Sequence, residues 1–328
     1  MRRAPMAVLT PIDESDARTL VLAYGRGGLR SLEGIAGGSV NSNFALETEG
    51  GRLFLRLYEE QDLDGARRET AMLERLATAG VPTPPPVPRV DGALVSLVRG
   101  KPAALFPWRD GSMRCQAGVT PADARRVGEA LARVHLAGAG EAAPVSRFGP
   151  AELAQRLDRI AASHDPHFAP LVPSLRASLE RAHALRDTGL PQGLMHGDLF
   201  RDNVLWDTEG EIAALLDFES ACAGAYAYDL MVTVLSWCFG DDLEARLASA
   251  LCQGYDRVRP LTEAEREGLW AEGAFASLRF TITRITDYAM RTGAAGPRMI
   301  KDWTRFMKRF EKLQAFGQAG VRAVLGLS

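Results

Sequence analysis

Residues 193–218 form a short strand-like island in a stretch whose pattern is otherwise helical, and its apolar runs end on acids. The island reads Leu194-Met195-His196-Gly197-Asp198-Leu199-Phe200-Arg201-Asp202-Asn203-Val204-Leu205-Trp206-Asp207. After a turn at residues 208–211 it continues Ala213-Ala214-Leu215-Leu216-Asp217-Phe218. Short apolar runs bounded by turn residues fit buried strands. An acid that ends such a run is not placed there for solvation. Both Asp198 and Asp217 follow or end such runs, which argues against two loop acids on a solvated hairpin.

Upstream, the pattern is β-rich. Residues 43–58 alternate around Glu49-Gly50-Gly51-Arg52, which predicts a hairpin. In its second strand Leu53, Leu55 and Leu57 share one face, and Phe54, Arg56 and Tyr58 the other. Thr10-Pro11-Ile12-Asp13 reads as a helix start, with an end near Tyr24-Gly25. A second helix is expected at about 64–79, stopped by Gly80 and the proline-rich run 82–88. Residues 93–98 and 103–106 read as strands, residues 107–111 as a connector, and Thr120-Pro121-Ala122-Asp123 as the start of a helix to about 137. A β-rich first third joined to a helical remainder predicts an α+β chain of two lobes with a cleft between them.

The island carries the chemistry. Phosphoryl transfer from ATP needs a carboxylate near the acceptor hydroxyl and oxygen ligands for Mg²⁺ on the triphosphate. Asp198 and Asn203, five residues apart on one loop, can face the acceptor and the metal respectively, and Asp217 can complete the metal site. Protein kinases arrange such parts as H-x-D-x-x-x-x-N followed by D-F. Asp202 is a second candidate base, read here as a turn or supporting acid. His196 reads as a packed histidine bracing the loop rather than a metal ligand, and Asp207 as the turn acid of the hairpin.

The chain resembles the aminoglycoside phosphotransferase and choline kinase superfamily and, within it, the homoserine kinases of this fold. The carriers span almost the whole sequence. They are Gly38-Ser39-Val40-Asn41-Ser42-Asn43-Phe44, Gly100-Lys101-Pro102-Ala103-Ala104-Leu105, Gly197 to Val204, Leu216-Asp217-Phe218, Ala227-Tyr228-Asp229-Leu230, Ser236-Trp237-Cys238-Phe239 and Leu278-Arg279-Phe280-Thr281-Ile282-Thr283-Arg284. Two positions depart from the pattern: Arg201 stands where those kinases often have proline, and Arg56 where they have a small polar residue, although many other members of the superfamily have a base there.

The resemblance implies a protein-kinase-like two-lobed fold, with a small β-rich nucleotide-binding lobe at 1–106 and a larger helical lobe at 107–328 holding the catalytic loop and acceptor site. It implies ATP-dependent phosphorylation of L-homoserine to O-phospho-L-homoserine, a step of threonine biosynthesis. The alternatives are another small alcohol (choline, hydroxylysine, an aminoglycoside) or a non-catalytic nucleotide-binding relative. Asp198 would be the base. Arg56 would take the part of the phosphate-pairing lysine, with Glu69 as its partner. Independently, Glu69 shares the buried stripe of its helix with Met72, Leu73 and Leu76, where an acid needs a cation. Gly37, Gly38 and Ser39 would form a phosphate loop, although Gly34-Ile35-Ala36-Gly37-Gly38-Ser39 does not match G-x-G-x-x-G. Adenine would bond to backbone between Pro107 and Arg109. Asp229 would tie down the catalytic loop.

The acceptor pocket would come from C-terminal helices. From Arg279 to Lys312 the sequence has nine bases and three acids, which disfavours a polycationic aminoglycoside. Arg284 and Asp287 are candidates to clamp the carboxylate and ammonium of a zwitterion, and Trp237 is a further candidate lining residue. Aromatics are only 7% of the chain, too sparse to suggest a cage for a quaternary ammonium.

Composition closes off other classes. A formal net charge of −2 gives no reason to expect binding to nucleic acid or an anionic membrane. Cys115, Cys222, Cys238 and Cys252 lack CxxC spacing and read as reduced thiols. The apolar run after Arg2 and Arg3 is broken by Pro11 and Asp13, too soon for a signal peptide, and no later run is long enough to span a bilayer. The expectation is a cytoplasmic protein whose partners are ATP and a small alcohol; no protein partner can be read. No activation segment ending in Ala-Pro-Glu follows Asp217, so a protein substrate is not expected.

Overall fold

The computed structural model describes residues 9–35, 40–290 and 301–327. The chain forms two compact units, residues 1–111 with 213–216, and residues 112–212 with 217–328. The architecture is α+β in two lobes, one built on a sheet and one mainly of helices.

The first unit holds a five-stranded antiparallel sheet in the order β1-β2-β3-β5-β4. The strands are β1 (Leu29–Gly34), β2 (Ser42–Thr48), β3 (Gly51–Leu57), β4 (Ser96–Val98) and β5 (Lys101–Pro107). The expected hairpin is β2–β3, closed at Gly51, whose φ of 110° suits glycine. Leu53, Leu55 and Leu57 are buried on one face against helix α1 (Glu14–Ala23) through Ala17, Leu20, Val21 and Tyr24. This leaves Arg56 for the opposite face. Helix α1 starts later than the Thr10-Pro11 signal suggests. Asp13 caps the amides of Ser15 and Asp16, and Asp16 returns a bond to the Asp13 amide, so the capping box decides the boundary. Helix α2 (Leu63–Thr78) is capped by Asp62 and buries Glu69, Met72, Leu73 and Leu76. The strand expected at 93–98 shortens to β4, because Arg89, Asp91 and Ala93 close a turn before it.

In the second unit, α3 (Pro121–Ala137) opens on a capping box between Thr120 and Asp123. The helices α4 (Pro150–Ala162), α5 (Val172–Ala184), α6 (Tyr226–Trp237), α7 (Ala245–Val258), α8 (Glu263–Arg284) and α9 (Thr304–Val324) follow. Of the island, β6 (Gln192–Met195), β7 (Val204–Trp206) and β9 (Cys222–Ala225) lie in this unit, with β6 and β9 paired antiparallel, whereas β8 (Ile212–Leu215) falls almost wholly in the first. Two glycines let α3 and α7 cross closely. A Cβ on Gly128 would lie 2.0 Å from the Leu251 carbonyl oxygen, and one on Gly254 2.2 Å from that of Arg125. Cys222, Cys238 and Cys252 are buried and Cys115 exposed, all as free thiols. Among the described residues no helix is long and apolar enough to cross a membrane.

Candidate active site

The loop after β6 is held by its backbone, which leaves its side chains available. Asp229, fully buried in the first turn of α6, accepts from the amides of His196 at 2.7 Å and Gly197 at 2.8 Å. Gly197 has a φ of 75°, and a Cβ there would sit 2.7 Å from the Ser220 carbonyl oxygen, so only glycine makes this turn without strain. The buried His196 ring packs against Phe218 with centroids 4.4 Å apart, and its Nδ1 accepts from the Asp198 amide at 3.3 Å. Asn203 donates its Nδ2 to the Asp198 carbonyl at 2.8 Å, which turns its own amide oxygen elsewhere. Both the Trp237 indole N–H, at 2.9 Å, and the Ser236 hydroxyl donate to the Leu199 carbonyl.

The Asp229 carboxylate also meets His135 Nε2 at 3.0 Å, and His135 Nδ1 meets the Tyr255 hydroxyl at 2.6 Å. Burial pushes Asp229 up, but the hydrogen bond and charge of His135 and the Gly197 amide more than offset it, so the carboxylate lies below its ordinary range. Burial likewise holds His135 below its ordinary value despite Asp229. A buried polar chain therefore runs from the loop into α3 and α7.

The Asp198 side chain is 27% exposed. Burial raises its pKa, against the pull of Arg279 and Lys301, and the charge of Asp217 adds to the rise. Asp217 sits at φ 63°, ψ 64°, in the left-handed region that non-glycine residues seldom adopt. Such a position costs about 1–3 kcal/mol. Its Oδ1 is buried with no hydrogen-bond partner. An oxygen so placed fits a hard cation, as does the amide oxygen of Asn203. Asp202 is exposed, and Asp207 accepts from the amides of Glu209 and Glu211, as a turn acid does.

Cations crowd the acceptor side. Arg279, with only 4% of its side chain exposed, brings Nη1 to 3.7 Å from Asp198 Oδ1. Its guanidinium lies over the rings of Phe148, at 3.9 Å, and Phe280, at 3.8 Å. Arg284 lies over Phe306 at 4.4 Å and donates Nη1 to the Asp302 carbonyl at 2.8 Å. Burial and then Arg305 bring its pKa down to about 10.

In the first unit Arg56 Nη1 meets Glu69 Oε1 at 3.2 Å, the pairing expected of β3 and α2. Tyr58 and Gln61 also donate to Glu69, at 3.2 and 2.7 Å. The Trp108 amide donates to the Arg52 carbonyl, so of the segment from Pro107 to the exposed Arg109 that amide is committed to the sheet edge. Gly37, Gly38 and Ser39 lie outside the described residues, as do Arg291 and Arg298 of the basic segment.

One expectation about the acceptor needs correction. Trp237 is fully buried, with its ring edge-on to Trp206, so it braces the loop and offers no surface to an acceptor. Asp287, in the π-turn Ile285–Ala289, accepts from Arg156 at 2.5 Å and from Thr286 at 3.0 Å, so its carboxylate is engaged by a cation of the protein itself. The regular α-helix ends at Arg284 and continues as the π-turn, so Arg284 and Asp287 do not share one α-helical turn.

The family described as phosphotransferase enzyme family, APH, matches residues 31–261. The chain belongs to the APH phosphotransferase enzyme family. Among curated relatives, the homoserine kinase of Caulobacter vibrioides strain NA1000 / CB15N is 37% identical over 303 residues, covering 88% of this chain and 92% of that one. Among solved structures, a spectinomycin phosphotransferase in complex with ADP and spectinomycin superposes with a TM-score of 0.68 at 13% identity, covering 97% of this chain and 98% of that chain. An amicoumacin kinase in complex with AMP-PNP and Ca²⁺ gives 0.67 at 14%, covering 94% and 95%. These two structures share the two-lobed kinase-like fold with this phosphotransferase.

In this phosphotransferase, motif spacing located the loop acids, hydrophobic pattern marked Glu69 as a buried acid, and the family resemblance paired it with Arg56. The hydrophobic pattern did not single out Arg279, Phe148 or His135. Arg279 had a signal: it is a base inside a helical run whose neighbours Leu278 and Phe280 are buried. Phe148 and His135 had none, because their roles depend on contacts across 131 and 94 residues respectively.

Proposed function

We propose that this phosphotransferase moves the γ-phosphoryl group of ATP to the hydroxyl of L-homoserine, forming ADP and O-phospho-L-homoserine. One observation carries the acceptor: the likeness to a homoserine kinase extends over 88% of this chain at 37% identity, through the helical C-terminal part as well as the nucleotide-binding sequence. The reaction class rests on family membership and on the loop geometry.

Asp198 accepts the acceptor hydroxyl proton as the oxygen attacks phosphorus. His196, Asn203 and Asp229 hold its backbone so that the carboxylate need not reorganise during reaction. Asp217 and Asn203 are the oxygen donors for Mg²⁺, which would neutralise triphosphate charge when bound. Arg56, fixed by Glu69, contacts a phosphate, with Gly37, Gly38 and Ser39 assigned to the same phosphates. The Pro107–Arg109 segment meets adenine. We place the activity in the cytoplasm. Its occupants are small molecules.

The test is steady-state kinetics on purified protein with Mg²⁺-ATP and homoserine, choline, hydroxylysine or kanamycin. Homoserine should show the highest kcat/KM, with threonine, whose hydroxyl is secondary and closer to the charged end, a poor acceptor. A higher kcat/KM for choline or kanamycin would leave the phosphotransferase standing and refute the acceptor.

A further inference from the structure

Arg279 is placed at a cost that its own contacts do not offset. It is 3% exposed, and its Nε and Nη1 are buried without a hydrogen-bond partner. Its approach to Asp198, at 3.7 Å, is an ion pair too long for a hydrogen bond. A buried guanidinium with unsatisfied donors is costly. The surroundings nonetheless hold it firmly. Its guanidinium carbon lies over the rings of both Phe148 and Phe280, Phe280 stacks on Phe306 at 4.6 Å, and Phe306 in turn carries Arg284. Phe200, from the loop that carries Asp198, packs edge-on against Phe280 at 5.0 Å. Stacking uses the faces of a guanidinium and leaves its N–H edge for a planar anion. Arg284 repeats the arrangement at the other end of the stack, again with a buried Nε that has no partner.

We propose that Arg279, supported by Arg284, is the specificity-determining residue of the acceptor site and receives the α-carboxylate of an amino-acid alcohol. This rests on the homoserine reading above and assigns it a carboxylate subsite. The ligand chemistry is an oxyanion held by a stacked guanidinium, which a transferring phosphoryl group could also supply. Position favours the acceptor. Arg279 flanks the carboxylate assigned to the hydroxyl proton, whereas the residues assigned to phosphate are Arg56 and the metal donors. In homoserine only two methylenes and Cα separate hydroxyl from carboxylate, so a group fixed beside Asp198 can hold one end while Asp198 meets the other.

The experiment compares homoserine with 3-aminopropan-1-ol, which has the same hydroxyl and ammonium but no carboxylate. The readout is the ratio of kcat/KM for homoserine to kcat/KM for 3-aminopropan-1-ol. Arg279→Met keeps an apolar stem beside the rings. It should lower that ratio by roughly 30-fold or more, since a charge-assisted bond contributes about 2–3 kcal/mol. Arg284→Gln, measured in parallel, keeps the test decisive if the buried substitution impairs folding, and should lower the ratio by roughly 5-fold or more. A ratio that does not move, even if both activities fall together, means a phosphoryl or structural role and overturns the assignment alone. A wild-type enzyme that uses 3-aminopropan-1-ol as well as homoserine overturns the subsite and the substrate reading together.

Discussion

Asp198 and Asp217 are neighbouring acids in different states of constraint. The backbone of Asp198 is fixed through Asn203 and His196, while its carboxylate stays partly open. Asp217 is the reverse: its backbone is strained and one carboxylate oxygen is buried without a partner. Under the proposed roles, Asp198→Asn should lower kcat by roughly 10²–10⁴ and leave ATP affinity near that of the wild type, as loss of a general base does. Near-normal turnover in that variant would dismiss Asp198 as the base. Asp217→Ala should abolish turnover across a Mg²⁺ titration, because Asn203 alone is a poor cation site. Arg56→Ala should mainly weaken productive ATP binding; nucleotide titrations that match the wild type would remove Arg56 from the phosphate site.

At the scale of elements, α6 and its neighbours hold the loop that carries the chemistry. Helix α6 supplies Asp229 to the amides of the loop and Trp237 to its Leu199 carbonyl, so it grips both sides of Asp198. The α3–α7 crossing sets the position of His135 and Tyr255 behind it. That crossing has no room for a methyl group at Gly254, where the obstacle is the rigid backbone of α3. Gly254→Ala should therefore destabilise the protein by about 1–3 kcal/mol, despite the better helix propensity of alanine. Urea denaturation gives the comparison, and a midpoint equal to or above the wild type would show that the helices can separate without loss.

For the whole molecule, the buried His135 gives a pH dependence of stability with a definite sign. Its folded pKa lies below the ordinary 6.5, foremost through burial. The unfolded chain therefore binds a proton at pH values where the folded one does not. Stability is fully present above about pH 6.5 and declines as pH falls from there toward the folded value. The paired Asp229, itself lowered, contributes its own loss only below the ordinary carboxylate range, so the two effects are separable. Urea midpoints should fall between pH 7 and 5.5, and His135→Gln should flatten that slope relative to the wild type. Equal slopes in the two proteins would assign the dependence to other groups.

Local pattern was enough for much of this protein. Alternation in β3 separated the Leu53 face from the Arg56 face, Gly80 and the proline run marked the end of α2, Thr120-Pro121 marked the start of α3, and the spacing of Asp198, Asn203 and Asp217 marked the loop chemistry. Each of these depends on residues close in sequence, where backbone geometry alone relates them. The Thr10-Pro11 signal misplaced a boundary by a few residues, because two nearby caps competed and the side chain of Asp13 made the bonds. The acceptor side was not legible in the same way. Arg284, Asp287 and Trp237 were grouped by residue type, yet Asp287 turns to Arg156 and Trp237 to Leu199. Arg279 faces Asp198 across 81 residues of chain. Which of many arginines loses its water, and which aromatic faces cover it, depends on how helices pack rather than on any local repeat. The chain's periodicity determined its strands and helices; only the packed structure selected the cation beside the catalytic loop.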